Sequence, residues 1–220
     1  MKKLLFLVIL TVFAVSLYAQ AESKPEISQP SEDLAALQLA NNLARYGYDT
    51  ESASALIGAA EIMAQVQTQA LGAEGTHSEA RPEQAAQEFD AAKLIADARR
   101  FAGNDQAMIA WATQVERALN TRTRGAVGGP REGWDIVGPG GTVTFNISFR
   151  ANELAEVLVL GDGSTILDIF VYDNNGNLIT RTDVYTSDAY TSWVPRWTGA
   201  FSIVVRNWGN RRNVFEIYTN

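Results

Sequence analysis

The residues best equipped to grip a ligand stand in the last third of the chain. Arg196 precedes Trp197, Arg206 and Asn207 precede Trp208, Arg211 and Arg212 follow it, and Tyr185 and Tyr190 occupy the loop-rich stretch before them. A ring displayed from a loop can stack on a sugar face or anchor a protein partner. A neighbouring guanidinium either grips an acidic polymer or lies on the ring itself. Trp197, Trp208, Tyr185, Tyr190, Arg196 and Arg211 are therefore the candidate ligand-binding residues, and burial of Trp197 and Trp208 would remove the best support for sugar binding.

Catalytic chemistry has far less to draw on. The chain contains no Cys and one His, so thiol catalysis and thiolate zinc sites are excluded. His77 lies in a polar stretch with Gly75, Thr76 and Ser78, where a solvated imidazole is expected, and no nucleophile-elbow pattern supplies a Ser for it to activate. The run Gly138, Pro139, Gly140, Gly141 lacks the Lys and the following helix of a phosphate-cradling loop. Asp and Glu are plentiful, but whether two of them approach as glycoside hydrolysis requires is a three-dimensional fact, and nothing singles out a pair. The formal net charge of −7 disfavours nucleic acid, whose phosphates demand a basic surface.

The first residues point to export. Lys2 and Lys3 precede an uncharged apolar run from Leu4 to Tyr18 and the small residue Ala19, the order of a cleavable signal peptide. Cleavage is expected after Ala19, with Ala21 as the alternative. The apolar run is shorter than the roughly 20 residues a membrane-spanning helix needs. No Cys follows it to carry a lipid, so no membrane insertion is expected after cleavage, and the destination is periplasmic or secreted. Without Cys there are no disulfides, and each module must bury its own core.

Residues 20–30 read as a linker with Pro25 and Pro30, and residues 31–124 as a helical domain. Leu34, Leu37, Ala40, Leu43 and Ala44 share one helical face, and Gly47 can stop that helix. Asp49 or Thr50 can cap a second helix carrying Leu56, Ile57, Ala60, Met63 and Val66. After a polar interruption at residues 72–82, a third helix starting at Pro82 carries Phe89, Leu94, Ile95, Ala98 and Phe101 and ends at Gly103. Asn104 or Asp105 caps a fourth, with Met108, Ile109, Trp111, Ala112, Val115 and Leu119 on its apolar side. A bundle is favoured over stacked tetratricopeptide-like hairpins, because no repeat is evident. Arg117, Arg122 and Arg124 suit the negative end of the fourth helix dipole better than an anion site.

Glycines at residues 125–132 form a second linker. Beyond it, Val143, Phe145, Ile147 and Phe149 alternate with Thr144, Asn146 and Ser148, the period of a half-buried strand. Further strands are expected over residues 154–160, 166–172, 178–182, 201–206 and 214–218, with a hairpin turn at Asp173 to Gly176. Gly161, Asp162, Gly163, then Leu167 to Asp173, Asn175 and Gly176, with Ser192, Trp193, Thr198 to Phe201, Ile203 to Val205 and Asn207, resemble the bacterial pre-peptidase C-terminal domain family.

That resemblance covers residues 133–220 at most. It implies a jelly-roll-like β-sandwich attached to exported proteins, with roles in secretion, substrate attachment or surface targeting. It also places an aromatic residue at Trp193, at the end of the sandwich. Some related domains bind collagen or calcium. Calcium here would draw on Asp162, Asp168 and Asp173, but Ser164 and Ile166 replace acidic residues that the family often carries, and calcium needs six to eight oxygen ligands. The three aspartates are better read as turn and local hydrogen-bonding residues, and no cofactor is expected.

The fold expected is therefore multidomain α + β, a helical bundle or stacked hairpins followed by an all-β jelly-roll-like sandwich. The function expected is that of an exported, non-enzymatic binding or adaptor protein whose sandwich engages a surface, matrix or polysaccharide ligand. Its partner would be a protein or polysaccharide at the cell envelope or outside. Two alternatives stay open: a chaperone- or inhibitor-like companion of a secreted hydrolase, and a carbohydrate-active enzyme using a carboxylate pair.

Overall fold

The computed structural model describes residues 29–82, 90–121 and 128–220. The expected signal segment, most of the first linker, Phe89, Arg122 and Arg124 lie outside the described residues.

Helices α1 (Glu32–Asp49), α2 (Ala53–Gln65), α3 (Ala91–Ala102) and α4 (Gln106–Asn120) come first in the chain. Asp105 caps α4 by accepting from the amides of Ala107 at 2.9 Å and Met108 at 3.2 Å, as a side-chain oxygen at an N-terminus should. The cap of α2 is Ser52, which accepts from Ala55 N at 3.3 Å. Asp49 and Thr50, the expected caps, instead close α1. Nor does Gly47 stop α1; it lies inside the helix because Leu56 of α2 packs where a Cβ would project. Gly103 does end α3, with φ +56°, a conformation that costs glycine little.

Helix α2 packs against α1, α3 and α4. The apolar faces predicted from the three- and four-residue spacing meet there, with Ala44, Leu56, Ile57, Leu94, Ile95 and Val115 in one buried cluster.

Strands β3 (Arg131–Val137), β4 (Thr142–Phe149), β5 (Ala155–Gly161), β6 (Leu167–Tyr172), β7 (Leu178–Arg181), β8 (Asp188–Trp193), β9 (Gly199–Asn207) and β10 (Asn213–Thr219) build the sandwich. One sheet has the core order β3-β10-β5-β8 and the other β4-β9-β6-β7. Successive strands from β3 to β6 and from β7 to β10 alternate between the sheets, the winding of a jelly roll. Phe145, Ile147, Phe149, Val157, Ile169, Phe201, Ile203 and Phe215 interdigitate between them. Strands β3 and β8 were not among the expected elements, and the linker expected at residues 125–132 overlaps the start of β3.

Two further findings concern how the parts join. The polar interruption after α2 contributes two short edge strands, β1 (Gln69–Ala70), parallel to β3, and β2 (Thr76–His77), antiparallel to β4. The segment thereby touches both sheets. The helices also form a third layer, because Leu34, Leu37 and Val66 pack on Leu158, Leu160 and Tyr218, on the outer face of the first sheet. Arg45 pairs with Asp188 at 2.6 Å and donates to the carbonyl of Gly161. Strands β5 and β10 are thus buried along their whole length, which explains the uninterrupted apolar run Val157 to Leu160. Burial, with the charges of Glu216 and Glu132 nearby, pushes the Tyr218 phenol well above its ordinary value.

Candidate ligand-binding site

Strand β9 runs from one end of the sandwich to the other. Its nine residues span about 30 Å at the usual rise per residue. Trp197 precedes it and Trp208 follows it, so the two candidate tryptophans stand at opposite ends and cannot share a ligand subsite.

At the other end Trp208 is 50% exposed, but its polar edge is tied down by local hydrogen bonds. Trp208 donates its indole N–H to Asp168 Oδ2 at 2.8 Å, and the Arg206 guanidinium lies 3.8 Å over its ring. The second oxygen of Asp168 accepts from Thr182 Oγ1 at 2.9 Å and Val184 N at 3.3 Å. Asp162 accepts from Ser164 N at 2.8 Å and Val214 N at 3.0 Å. Asn207, fully buried, donates to the carbonyls of Gly138 and Arg211 at 3.0 and 2.6 Å. Tyr185 is 84% exposed on the loop before β8, and Arg211 is exposed in the turn that follows Trp208.

Tyr190 belongs to neither end. It projects from β8 beneath the helical layer, where its hydroxyl donates to the buried Glu156 at 2.8 Å. Asp173 stands apart from the other two aspartates, at the far end of β6, accepting from the amides of Asn175 and Asn177 at 2.8 Å each and from Asn177 Nδ2 at 2.9 Å. The three aspartates weighed as calcium ligands serve three separate local networks. Among the described residues, no group of three or more His, Asp or Glu side chains is placed to hold a metal ion.

The opposite end is open. A cleft of about 390 Å³ is walled by Leu178, Ile179, Trp193, Val194, Pro195 and Trp197. Leu178, Ile179 and Val194 are exposed apolar side chains, and Trp197 is 40% exposed. One face of Trp197 stacks on Phe201, with centroids 5.7 Å apart and planes at 19°. Trp193 is buried, as the resemblance implied, edge-on to Phe149 at 4.8 Å, and its indole N–H has no acceptor among the described residues. The loop carrying Trp197 is pinned from below: Asn152 N donates to Pro195 O at 2.8 Å and Ala151 N to Thr198 Oγ1 at 2.9 Å.

A second cavity, of about 430 Å³, opens at this same end and includes Gln69, Arg131, Phe149, Arg150 and Glu153 in its lining. Its neighbourhood to the first follows from strand pairing, since Phe149 is the partner of Gly199 and Ala155 of Trp193. The Arg131 guanidinium lies 5.5 Å over the Phe149 ring and donates to Asn220 O at 3.0 Å. Partial burial lowers the pKa of Arg131 from the usual guanidinium value. Leu178, Ile179, Val194, Arg131 and Arg150 were not among the candidates from sequence; the signal available was apolar residues at strand and loop ends, which a sandwich also uses for its core.

His77 is not solvated. It sits on β2 with its side chain 13% exposed, Nε2 3.2 Å from Asp135 Oδ2, while Arg81 pairs with the other oxygen at 2.9 Å. Ser78 is turned to another use, its hydroxyl accepting from Thr142 N at 2.9 Å. This group holds the β2 edge to β3.

No family model matches the chain, and no curated protein matches it. Among solved structures it is similar to a periplasmic inhibitor of g-type lysozyme from Aeromonas hydrophila, with 12% identity over 41% of this chain and 84% of that one, TM-score 0.33. It is similar to a mitogen derived from Yersinia pseudotuberculosis, with 10% identity over 43% and 86%, TM-score 0.33. A pre-peptidase C-terminal domain of a collagenase from Bacillus anthracis is also similar, with 10% identity over 43% and 90%, TM-score 0.29.

Proposed function

We propose that this chain is an exported, non-enzymatic binding protein whose sandwich holds a polysaccharide at the Trp197 end. The observation that carries the reading is the exposed ring of Trp197, backed by Phe201 and flanked by exposed Leu178, Ile179 and Val194. A half-buried indole fixed from behind offers a flat apolar plate on which the C–H face of a sugar can lie. The cleft volume falls in the range of small-ligand sites, about 300 to 1,000 Å³. Each of the two cavities at this end has a single carboxylate residue in its lining, Asp173 in one and Glu153 in the other, whereas hydrolysis of a glycosidic bond uses two facing carboxyl groups. Export rests on the order of charges and apolar residues from Lys2 to Ala19.

The test is retention on soluble polysaccharides in affinity electrophoresis, wild type against W197A. Binding that weakens about tenfold or more in W197A supports the reading. Wild-type protein that is retarded by no polysaccharide, or W197A that binds as the parent does, overturns it.

A further inference from the structure

Resting on that reading, we infer that the polysaccharide is acidic: the Arg131 cavity is a second subsite of the same site, receiving the carboxylate, sulfate or phosphate group of a polymer whose neighbouring ring lies on Trp197.

The two cavities flank one group of packed core rings, with Phe149 and Phe201 both buried between them. Arg131 lies 5.5 Å over Phe149, Phe149 is 6.2 Å from Phe201, and Phe201 is 5.7 Å from Trp197. The ridge between the cavities, formed by residues 150–155 and 194–198, is tied together by the bonds to Pro195 O and Thr198 Oγ1. An extended ligand thus meets one rigid surface.

Charge at this end contrasts with the rest of the molecule. The whole chain carries −7, yet the cations around this surface are Arg131, Arg150 and Arg196. Arg131 donates to the main-chain oxygens of Asn220 and Ser148 at 3.0 and 3.5 Å. Arg150 is 79% exposed and meets Glu153 only at 3.8 Å, a separation worth little between solvated groups. Arg196 is exposed on the rim of the Trp197 cleft. Asp173, the carboxylate nearest that rim, is already engaged by three donors of its own turn. A planar guanidinium is suited to bidentate contact with carboxylate, sulfate or phosphate.

The inference is tested by isothermal titration of the intact chain with two matched pairs of probes, polygalacturonate against its methyl ester and dextran sulfate against dextran. Tighter binding of at least one acidic member than of its neutral twin, by about tenfold in low salt and less as salt is raised, is the expected result. The double variant R131Q and R150Q, both in the lining of the Arg131 cavity and with its fold checked against wild type by urea unfolding, should erase that preference. Equal affinity within each pair, or a preference that survives in the double variant, overturns the acidic subsite while the Trp197 reading stands. Absence of binding to all four probes overturns the inference, and the Trp197 reading is then judged by its own electrophoresis.

Discussion

The two ends of the sandwich are built from the same vocabulary and use it in opposite ways. Each has a tryptophan at one terminus of β9, an arginine within two residues of it and an aspartate on or next to β6. At the Trp208 end the ring is 50% exposed but tied to its neighbours: Asp168 takes the indole N–H, Arg206 lies over one face, and Asn207 and Asn213 bind the surrounding turns. At the Trp197 end the ring is backed by Phe201, Arg196 forms no ion pair among the described residues, and four apolar side chains meet solvent. The difference teaches that a tryptophan beside an arginine is neither a site nor a strut until the third partner is known. Here the third partner is a buried carboxylate 40 residues away in one case and a phenylalanine in the other.

The sharpest way to break this contrast is to remove the carboxylate. D168A leaves the Thr182 hydroxyl, the Val184 amide and the Trp208 indole without their acceptor, and unpaired buried donors of this kind cost about 1–3 kcal/mol each. A loss of about 3 kcal/mol in urea unfolding is expected, with polysaccharide affinity at the other end unchanged. Lost affinity would mean that the ends are coupled and the contrast is false. A smaller effect distinguishes the arginines. R206A uncovers the Trp208 ring and should cost about 1 kcal/mol, whereas R196Q should alter stability by no more than about 0.5 kcal/mol and act on binding alone.

Legibility from sequence followed the range of the forces involved. The four helices could be read because their apolar faces repeat within a single element, and Asp105 because a cap acts on amides two and three residues away. Strands β4, β5 and β9 announced themselves by alternation or by an unbroken apolar run. Strand β8 did not, since its inward residues Ala189 and Thr191 are small or polar and its outward Asp188 and Tyr190 serve the helical layer. Strand β2 is two residues long and exists because β4 offers it an edge, so His77 looked like a loop residue. The Trp197 cleft was half legible: its tryptophan and arginine stood out, but Leu178 and Ile179 reach it only through the winding that brings β7 to that end.

The finest test concerns the turn that carries the cleft wall. Asp173 is held below the usual carboxylate range, chiefly by the Asn177 side chain, with burial opposing and the amides of Asn177 and Asn175 adding to the effect. A carboxyl whose folded pKa is depressed contributes stability that is complete above its unfolded value, and that contribution disappears as pH falls through the folded one. Asn at this position cannot ionise, so D173N should be less stable than wild type at neutral pH, with the gap closing as the solution is taken below about pH 4. Leu178 and Ile179 follow this turn directly, so affinity for a neutral polysaccharide should fall over the same acid range in wild type and stay level in D173N. A stability gap that is constant from neutrality into acid would show that the turn is held by the backbone alone, and that the open end owes its shape to the apolar wall and not to this carboxylate.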